Sequence, residues 1–263
     1  MIDPRAMVSE QASIAPGVVV EAFARIDADV VVGAGTVIQS YSWLRGRTRI
    51  GRENRIGPYA AIGGPAQVRD PSAGHLQIGD NNRIGEYVSI HTGTAGGSTQ
   101  VGNGCMLMAY AHVAHDCQLG DGVELANGVQ LAGHVAVGQG AGLGGLAGVH
   151  QFSRIGRLAF VGAGAMVAQD VPPFALVCGD RARCFGINAV GLRRAGIDAV
   201  ARKRLQRALR LVCQPSGEQR AIDELAELAA SEGDPLLREL AQFVLLSERG
   251  VCRWVNRREA RNH

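Results

Sequence analysis

Residues 101–137 read VGNGCMLMAYAHVAHDCQLGDGVELANGVQLAGHVAV, and every sixth position in them is aliphatic: Val101, Leu107, Val113, Leu119, Leu125, Leu131 and Val137. The register continues through Leu143, Val149, Ile155, Val161 and Val167. Upstream it holds at Ile78, Ile84 and Ile90, and it runs unbroken from Ile2 through Val8, Ile14, Val20, Ile26, Val32, Ile38, Leu44, Ile50 and Ile56 to Ile62. In all, 26 hexads are led by Ile, Val or Leu. That period is neither the 3.6 of a helix nor the 2 of a half-buried strand. It is the hexapeptide pattern of a parallel β-helix. Three hexads close a triangular coil of 18 residues, and coils stack at about 4.8 Å, so the repeat predicts about nine coils and a prism about 40 Å tall.

The composition fits that reading. Of 263 residues 36 are glycine, aromatics make up 5% and charged residues 19%, so glycine is roughly double its usual share. A bundle or sandwich core needs bulky side chains, whereas stacked ladders of aliphatic residues do not. Small residues that follow the aliphatic ones, such as Gly33, Gly51, Gly102, Gly120 and Gly138, suit a chain that bends every six residues. The net charge of +3 excludes a dedicated nucleic-acid binder. Six cysteines form no CxxC pair or metal spacing, and no stretch approaches 18 uninterrupted apolar residues. The N-terminus lacks a charged region followed by an apolar one. The expectation is a soluble, cytoplasmic protein without stable membrane insertion.

Two breaks in the period, between Ile62 and Ile78 and between Ile90 and Val101, hold Gly-, Pro- and Ser-rich segments that read as protruding loops. Such loops in a compact repeat protein tend to be functional. The repeat stops at Val171-Pro172-Pro173, which divides the chain into a β-helix over 1–175 and a helical domain over 176–263. In the latter, Leu205, Leu209 and Val212 share a helix face. Ser216 and Gln219 form a capping box ahead of Ile222, Leu225 and Leu228, and Asp234-Pro235 starts a helix with Leu237, Leu240 and Val244 inward. The closing Arg249, Arg253, Arg257, Arg258 and Arg261 either steer an acidic partner or form a frayed, solvated tail, the second being the plainer reading.

Five of the seven histidines fall between 91 and 150: His91, His112, His115, His134 and His150. With 18-residue coils, His115, Gly133 and Gln151 stand in one column and Asp116, His134 and Phe152 in the next, while His91 stacks with Ala114, Ala132 and His150. Three readings compete. The histidines are solvated corner residues; they bind a metal, for which no acidic or Cys partner stands at ligand spacing; or one of them is a general base. Imidazole titrates near neutral pH and can take a proton from an attacking hydroxyl or amine. A glycine one coil away offers an open N–H to a developing oxyanion, and His115 beside Gly133 meets that demand.

The strings Ala111-His112-Val113-Ala114-His115-Asp116-Cys117, Leu131-Ala132-Gly133-His134-Val135, Val149-His150-Gln151-Phe152, Ala168-Gln169-Asp170-Val171-Pro172-Pro173, Gly186-Ile187-Asn188 and Gly191-Leu192-Arg193-Arg194 resemble the acyl-carrier-protein-dependent UDP-N-acetylglucosamine O-acyltransferase family, which opens lipid A biosynthesis. The resemblance runs from residue 1 to about 250. It implies a mainly β fold, a left-handed parallel β-helix with a C-terminal helical domain, although the usual crossover rule is right-handed. It further implies a homotrimer, and transfer of a 3-hydroxyacyl chain from an acyl carrier protein thioester to the 3-OH of the UDP-sugar, with no cofactor or metal. Under it His115 is the general base, Asp116 its orienting partner and Gly133 the oxyanion donor. His112, His134, His150 and Gln151 line the substrate cleft with His91 at its edge, Gln67 belongs to the sugar loop, and Asn188 and Arg194 reach the nucleotide. Ala163 limits the acyl pocket.

Three positions depart from the family pattern. Gln67 is followed by Val68-Arg69-Asp70 where an Asp and a Lys are usual, Val190 replaces an acidic residue, and Ala195 replaces a second Arg. These leave a 3-amino sugar as an alternative acceptor, and a non-catalytic binding solenoid as an alternative of another class.

Overall fold

Most strands are two residues long, too short to stand alone, so each exists only through the coils on either side of it. The computed structural model describes residues 1–69, 74–214, 223, 225, 227 and 233–255. In it Gln118 pairs with Gln100 and Ala136, and Ala136 with Arg154, all in parallel register. The described strands make three sheets. Nine parallel strands run from Met7–Val8 to Met166–Val167 and eight from Ser13–Ile14 to Arg154–Ile155. Ten form the third sheet, parallel from Val19–Val20 to Ala175–Cys178 and closed by the antiparallel Arg183–Ile187. That third sheet therefore passes the boundary expected at 175, because Ala175–Cys178 still finds a parallel partner in Phe160–Val161.

The hexad-leading residues are the core. From Val20 to Val167 each is at most 4% exposed, whereas Ile2 at the end of the stack is 48% exposed. Across the two breaks Ala61 pairs with Ser89 and Ser89 with His112, with one bulge where Ile62 and Gly64 face Ile90 and His91, after which the 18-residue spacing resumes at Gln130. Residues 70–73, Asp70 among them, lie outside the described residues.

Glycine does not hold every corner. At one of them Phe23, Tyr41, Tyr59, Tyr87 and Tyr110 all adopt φ between 57° and 63°, a conformation that costs an L-residue about 1–2 kcal/mol. Their rings stack in a continuous ladder with centroids 4.9–5.1 Å apart, and each aromatic pair returns about 0.5–1.5 kcal/mol beyond its burial. The coil pitch and the stacking distance coincide, so the repeat itself builds the ladder.

Helices described end to end are α1 (Ala189–Arg194), α2 (Ala199–Val212) and α3 (Pro235–Leu245), capped by Asn188, Asp198 and Asp234. Helix α2 buries Leu205, Leu209 and Val212, and α3 buries Leu237, Leu240 and Val244. Ser216, Gln219, Ile222 and Leu228 lie outside the described residues, and Leu225 is buried. The helices are tied to the prism by Arg157, which donates three hydrogen bonds of 2.8–3.0 Å to Glu239. The chain after α3 then returns to the prism base, where Val251 bridges Asp170 and Trp254 bridges Cys184. Arg249 and Arg253 belong to this docked segment. They do not form the frayed tail that composition suggested, because the buried Asp170 carboxylate accepts from Ser247 Oγ and from the Arg154 N–H, both at 2.8 Å.

Candidate active site

The corner that follows the nine-stranded sheet carries the histidines. Asp116, His134 and Phe152 occupy the same corner position in successive coils, each with φ of 60–64°, and this left-handed turn aims their side chains along one edge. His134 and Phe152 rings stack at 4.6 Å, and the His115 ring stands edge-on to His134 at 5.1 Å. The columns counted from the sequence are therefore physical contacts.

His115 Nδ1 lies 2.9 Å from Asp116 Oδ2. Asp116 is itself held: the Thr94 N–H donates to its two oxygens at 3.2 and 3.1 Å, Thr94 Oγ1 donates to Oδ2 at 2.9 Å, and the Asp116 N–H donates to Thr99 Oγ1 at 2.8 Å. Burial pushes this carboxyl upward, but the hydrogen bonds from His115 and Thr94, with His134 nearby, outweigh it and hold Asp116 below the usual carboxylate range. An ionised Asp116 accepts the Nδ1 proton of a neutral His115 and leaves Nε2 as the basic nitrogen.

Gly133 makes room for that nitrogen. A Cβ on Gly133 would sit 2.5 Å from both Cε1 and Nε2 of His115, closer than atoms can approach. Among the described residues the Gly133 N–H donates to no protein acceptor. His115 Nε2 and the Gly133 N–H are thus neighbours, and an addition to a carbonyl needs both a base and a donor.

Around this pair, His112 Nδ1 is 2.7 Å from Ser89 Oγ, and burial lowers the His112 pKa. His91 packs edge-on against His112 at 5.0 Å. Burial, reinforced by His112, Arg45 and His115, brings its pKa down to about 4, and its Nδ1 is buried without a partner. A cleft of about 1130 Å³ runs down the prism face, lined by Gln67, His112, His115, Gly133, His150 and Gln151 and ending among Arg181, Arg183, Arg249 and Arg253. His91 and His134 are not among its lining residues; they pack edge-on against His112 and His115, which are. Asn188, Arg194 and Ala163 do not line this cleft. The Asn188 side chain is engaged within its own chain, accepting from the Gly191 N–H and donating to the Leu158 carbonyl at 3.0 Å each; Arg194 and Ala163 are exposed.

Imidazole and carboxylate atoms of His115, Asp116 and His134 lie within 4.8 Å of one another, a donor set a zinc ion accepts. Asp116 Oδ2 is already engaged by Thr94 and His115, so a cation there would have to displace the bonds that orient the histidine. Sequence reasoning missed Thr94, Thr99 and Ser89. Thr94 lies in a loop without periodicity, whereas Ser89 could have been found by carrying the register across the second break to His112.

Residues 98–133 match the bacterial transferase hexapeptide family, and residues 170–252 match the second domain of the UDP-N-acetylglucosamine O-acyltransferase family. A Syntrophobacter fumaroxidans protein, acyl-[acyl-carrier-protein]–UDP-N-acetylglucosamine O-acyltransferase, is 40% identical over 259 residues, covering 96% of this chain and 99% of its own. The solved UDP-N-acetylglucosamine acyltransferase of Francisella novicida superposes with a TM-score of 0.92 at 35% identity, over 97% of this chain and 95% of that one. The Campylobacter jejuni enzyme does so with 0.90 at 33%, over 97% and 100%. The fold is the left-handed parallel β-helix of these proteins. Among the described residues no helix is long and apolar enough to cross a membrane.

Proposed function

This chain belongs to the UDP-N-acetylglucosamine O-acyltransferase family, and from that premise we propose how its cleft performs the family reaction, the first step of lipid A biosynthesis. The enzyme transfers an acyl chain from an acyl carrier protein thioester to the 3-OH of UDP-N-acetylglucosamine. In our reading His115 Nε2 takes the 3-OH proton as the sugar oxygen attacks the thioester carbonyl. The new C–O bond gives a tetrahedral oxyanion, which accepts the Gly133 N–H. Collapse breaks the C–S bond, and the imidazolium returns its proton to the departing sulfur of the carrier arm. Asp116 orients the ring throughout and stabilises its charged form.

The observation that carries this reading is the His115–Asp116 bond at 2.9 Å with Gly133 packed against Cε1 and Nε2 of the same ring. The 3-hydroxyacyl donor, the absence of any cofactor beyond the thioester, and a cytoplasmic location where both substrates reside are parts of the same proposal. So is a homotrimer. It is supported by the exposed apolar side chains gathered on one edge and its two flanking sheets, the aromatic ladder with Leu146, Phe160 and Met166. It would also give Asn188, Arg194 and Ala163 a neighbour's cleft to complete.

The test is an acyl-transfer assay offering UDP-N-acetylglucosamine and its 3-amino analogue with carrier-bound 3-hydroxyacyl chains of several lengths. Transfer to the 3-OH, lost in His115→Ala, is expected. Acylation of the amino analogue alone would overturn the acceptor assignment, and a fully active His115→Ala would overturn the mechanism.

A further inference from the structure

The segment after α3 reaches the cleft through one side chain. Its backbone is fixed to the prism: the Asp170 N–H donates to the Gly250 carbonyl at 3.0 Å, the Cys252 N–H to the Asp170 carbonyl at 2.8 Å, and Gln169 Nε2 to the Arg249 carbonyl at 3.5 Å. From there Arg249 donates through Nε and Nη2 to the Ala168 carbonyl at 3.3 and 3.1 Å, and Nη2 stands 3.3 Å from His150 Nδ1.

A guanidinium only donates, so its bond to His150 requires a lone pair on Nδ1 and places the ring proton on Nε2. The Gln151 carbonyl, 3.1 Å from the same Nδ1, would favour the opposite tautomer. The positive charge beside the lone pair decides between them although the carbonyl is slightly nearer, since a hydrogen bond from an ionised donor is roughly twice as strong as a neutral one. His150 is exposed and lines the cleft, and among the described residues its Nε2 has no partner. It stands next to Gln151, two coils along the column from His115, which is about 10 Å at the coil spacing. Acceptor oxygens at that distance from the reacting carbonyl occur in both substrates: an amide carbonyl of the carrier arm and a phosphate of the UDP-sugar.

We infer that Arg249 is a positioning residue of the transferase, fixing His150 in the tautomer whose Nε2–H holds a substrate acceptor oxygen two coils from His115. The inference rests on the acyl-transfer reading. It makes the segment after α3 a working part of the cleft, so a change in how that segment docks is felt at substrate binding.

The experiment compares the full-length parent with Arg249→Met, Arg249→Lys, His150→Ala and the Arg249→Met/His150→Ala pair. Nitrogen NMR of histidine-labelled protein should show the His150 proton on Nε2 in the parent and shifted toward Nδ1 in Arg249→Met. Steady-state kinetics should show KM raised roughly tenfold for one substrate with kcat little changed, the size of one charge-assisted hydrogen bond. Whether the KM for carrier thioester or for UDP-sugar rises identifies the oxygen. The double variant should be no worse than His150→Ala alone, because Arg249 acts through that ring. Arg249→Lys keeps the charge but not the fork, so it reads the same geometry if Arg249→Met fails to fold. Additive losses in the double variant, or an unchanged tautomer, would overturn the inference. A parent that acylates neither acceptor instead sinks the acyl-transfer reading, while the NMR result still decides the tautomer.

Discussion

Alanine at Gly133 would place a methyl carbon 2.5 Å from His115 Cε1 and Nε2, about 1 Å inside ordinary contact. The backbone φ of Gly133 lies outside the left-handed region, so alanine fits the chain and the perturbation is confined to the ring. The ring cannot simply turn aside, because its Nδ1 is held at 2.9 Å by an Asp116 that Thr94 holds in turn. It must retreat by about 1 Å, and a misplacement of that size costs on the order of 10²-fold in rate. The same methyl crowds the space before the Gly133 N–H, and loss of one oxyanion donor is worth about 10²–10³-fold. We therefore expect Gly133→Ala to lower kcat by at least about 10²-fold, with the KM for UDP-N-acetylglucosamine within a few-fold and Tm within a few degrees of the parent. The assay is single-turnover acyl transfer from carrier-bound thioester, with nucleotide-sugar binding measured separately by calorimetry. A variant that folds, binds and retains kcat within about threefold would refute the shared role of this glycine and His115, since it would show that neither the ring position nor the N–H matters to the chemistry.

Asp116→Asn should leave the fold intact and lower kcat by up to about 10⁴-fold, the loss seen when a carboxylate orienter of a catalytic histidine is neutralised. Because the Asp116 carboxyl is held below its ordinary 3.8, it stabilises the fold above that value and ceases to as pH falls through its folded pKa; the Tm gap between parent and Asp116→Asn should persist at neutral pH and close below about pH 4. For His91 the sign is set by a pKa lowered from 6.5 to about 4: the folded state favours the neutral ring, so stability is full above 6.5 and erodes between 6.5 and 4. His91→Asn should flatten that acid slope in a Tm-versus-pH series. Tyr59→Ala removes two ring stacks, to Tyr41 and Tyr87, and should destabilise by about 1–3 kcal/mol beyond the lost burial, read as a lower denaturation midpoint.

The prism was legible because its determinant is strictly periodic. A spacing of six, counted through Leu107, Val113 and Leu119, also sets an 18-residue column, and the column alone brings His115 beside Gly133 and Asp116 beside His134. What escaped lies where no period operates. Thr94 fixes the Asp116 carboxylate from within an irregular loop, and Arg249 meets His150 only because the chain doubles back after α3. The corner glycines were half of the answer: side chains such as Tyr59 and Asp116 take the same left-handed turn when stacking or hydrogen bonds offset its strain. Asn188 and Arg194 carry family signatures, yet neither lines the cleft of the single chain, and column counting does not extend to the helical domain that holds them.

The stacking of short strands has a consequence for how the enzyme fails. Each coil touches only the coil above and below it, so the prism behaves as a one-dimensional array whose energy is a sum of nearest-neighbour terms, and melting starts at its termini. His115, Gly133 and Gln151 follow the sixth, seventh and eighth of nine strands in their sheet. The base is clamped beyond them by the Asp170 contacts and the helices. Loss therefore proceeds from the Ile2 end, and several turns can fray before the His115 column senses it; if that column is the proposed active site, activity should outlast the first loss of β-structure on heating.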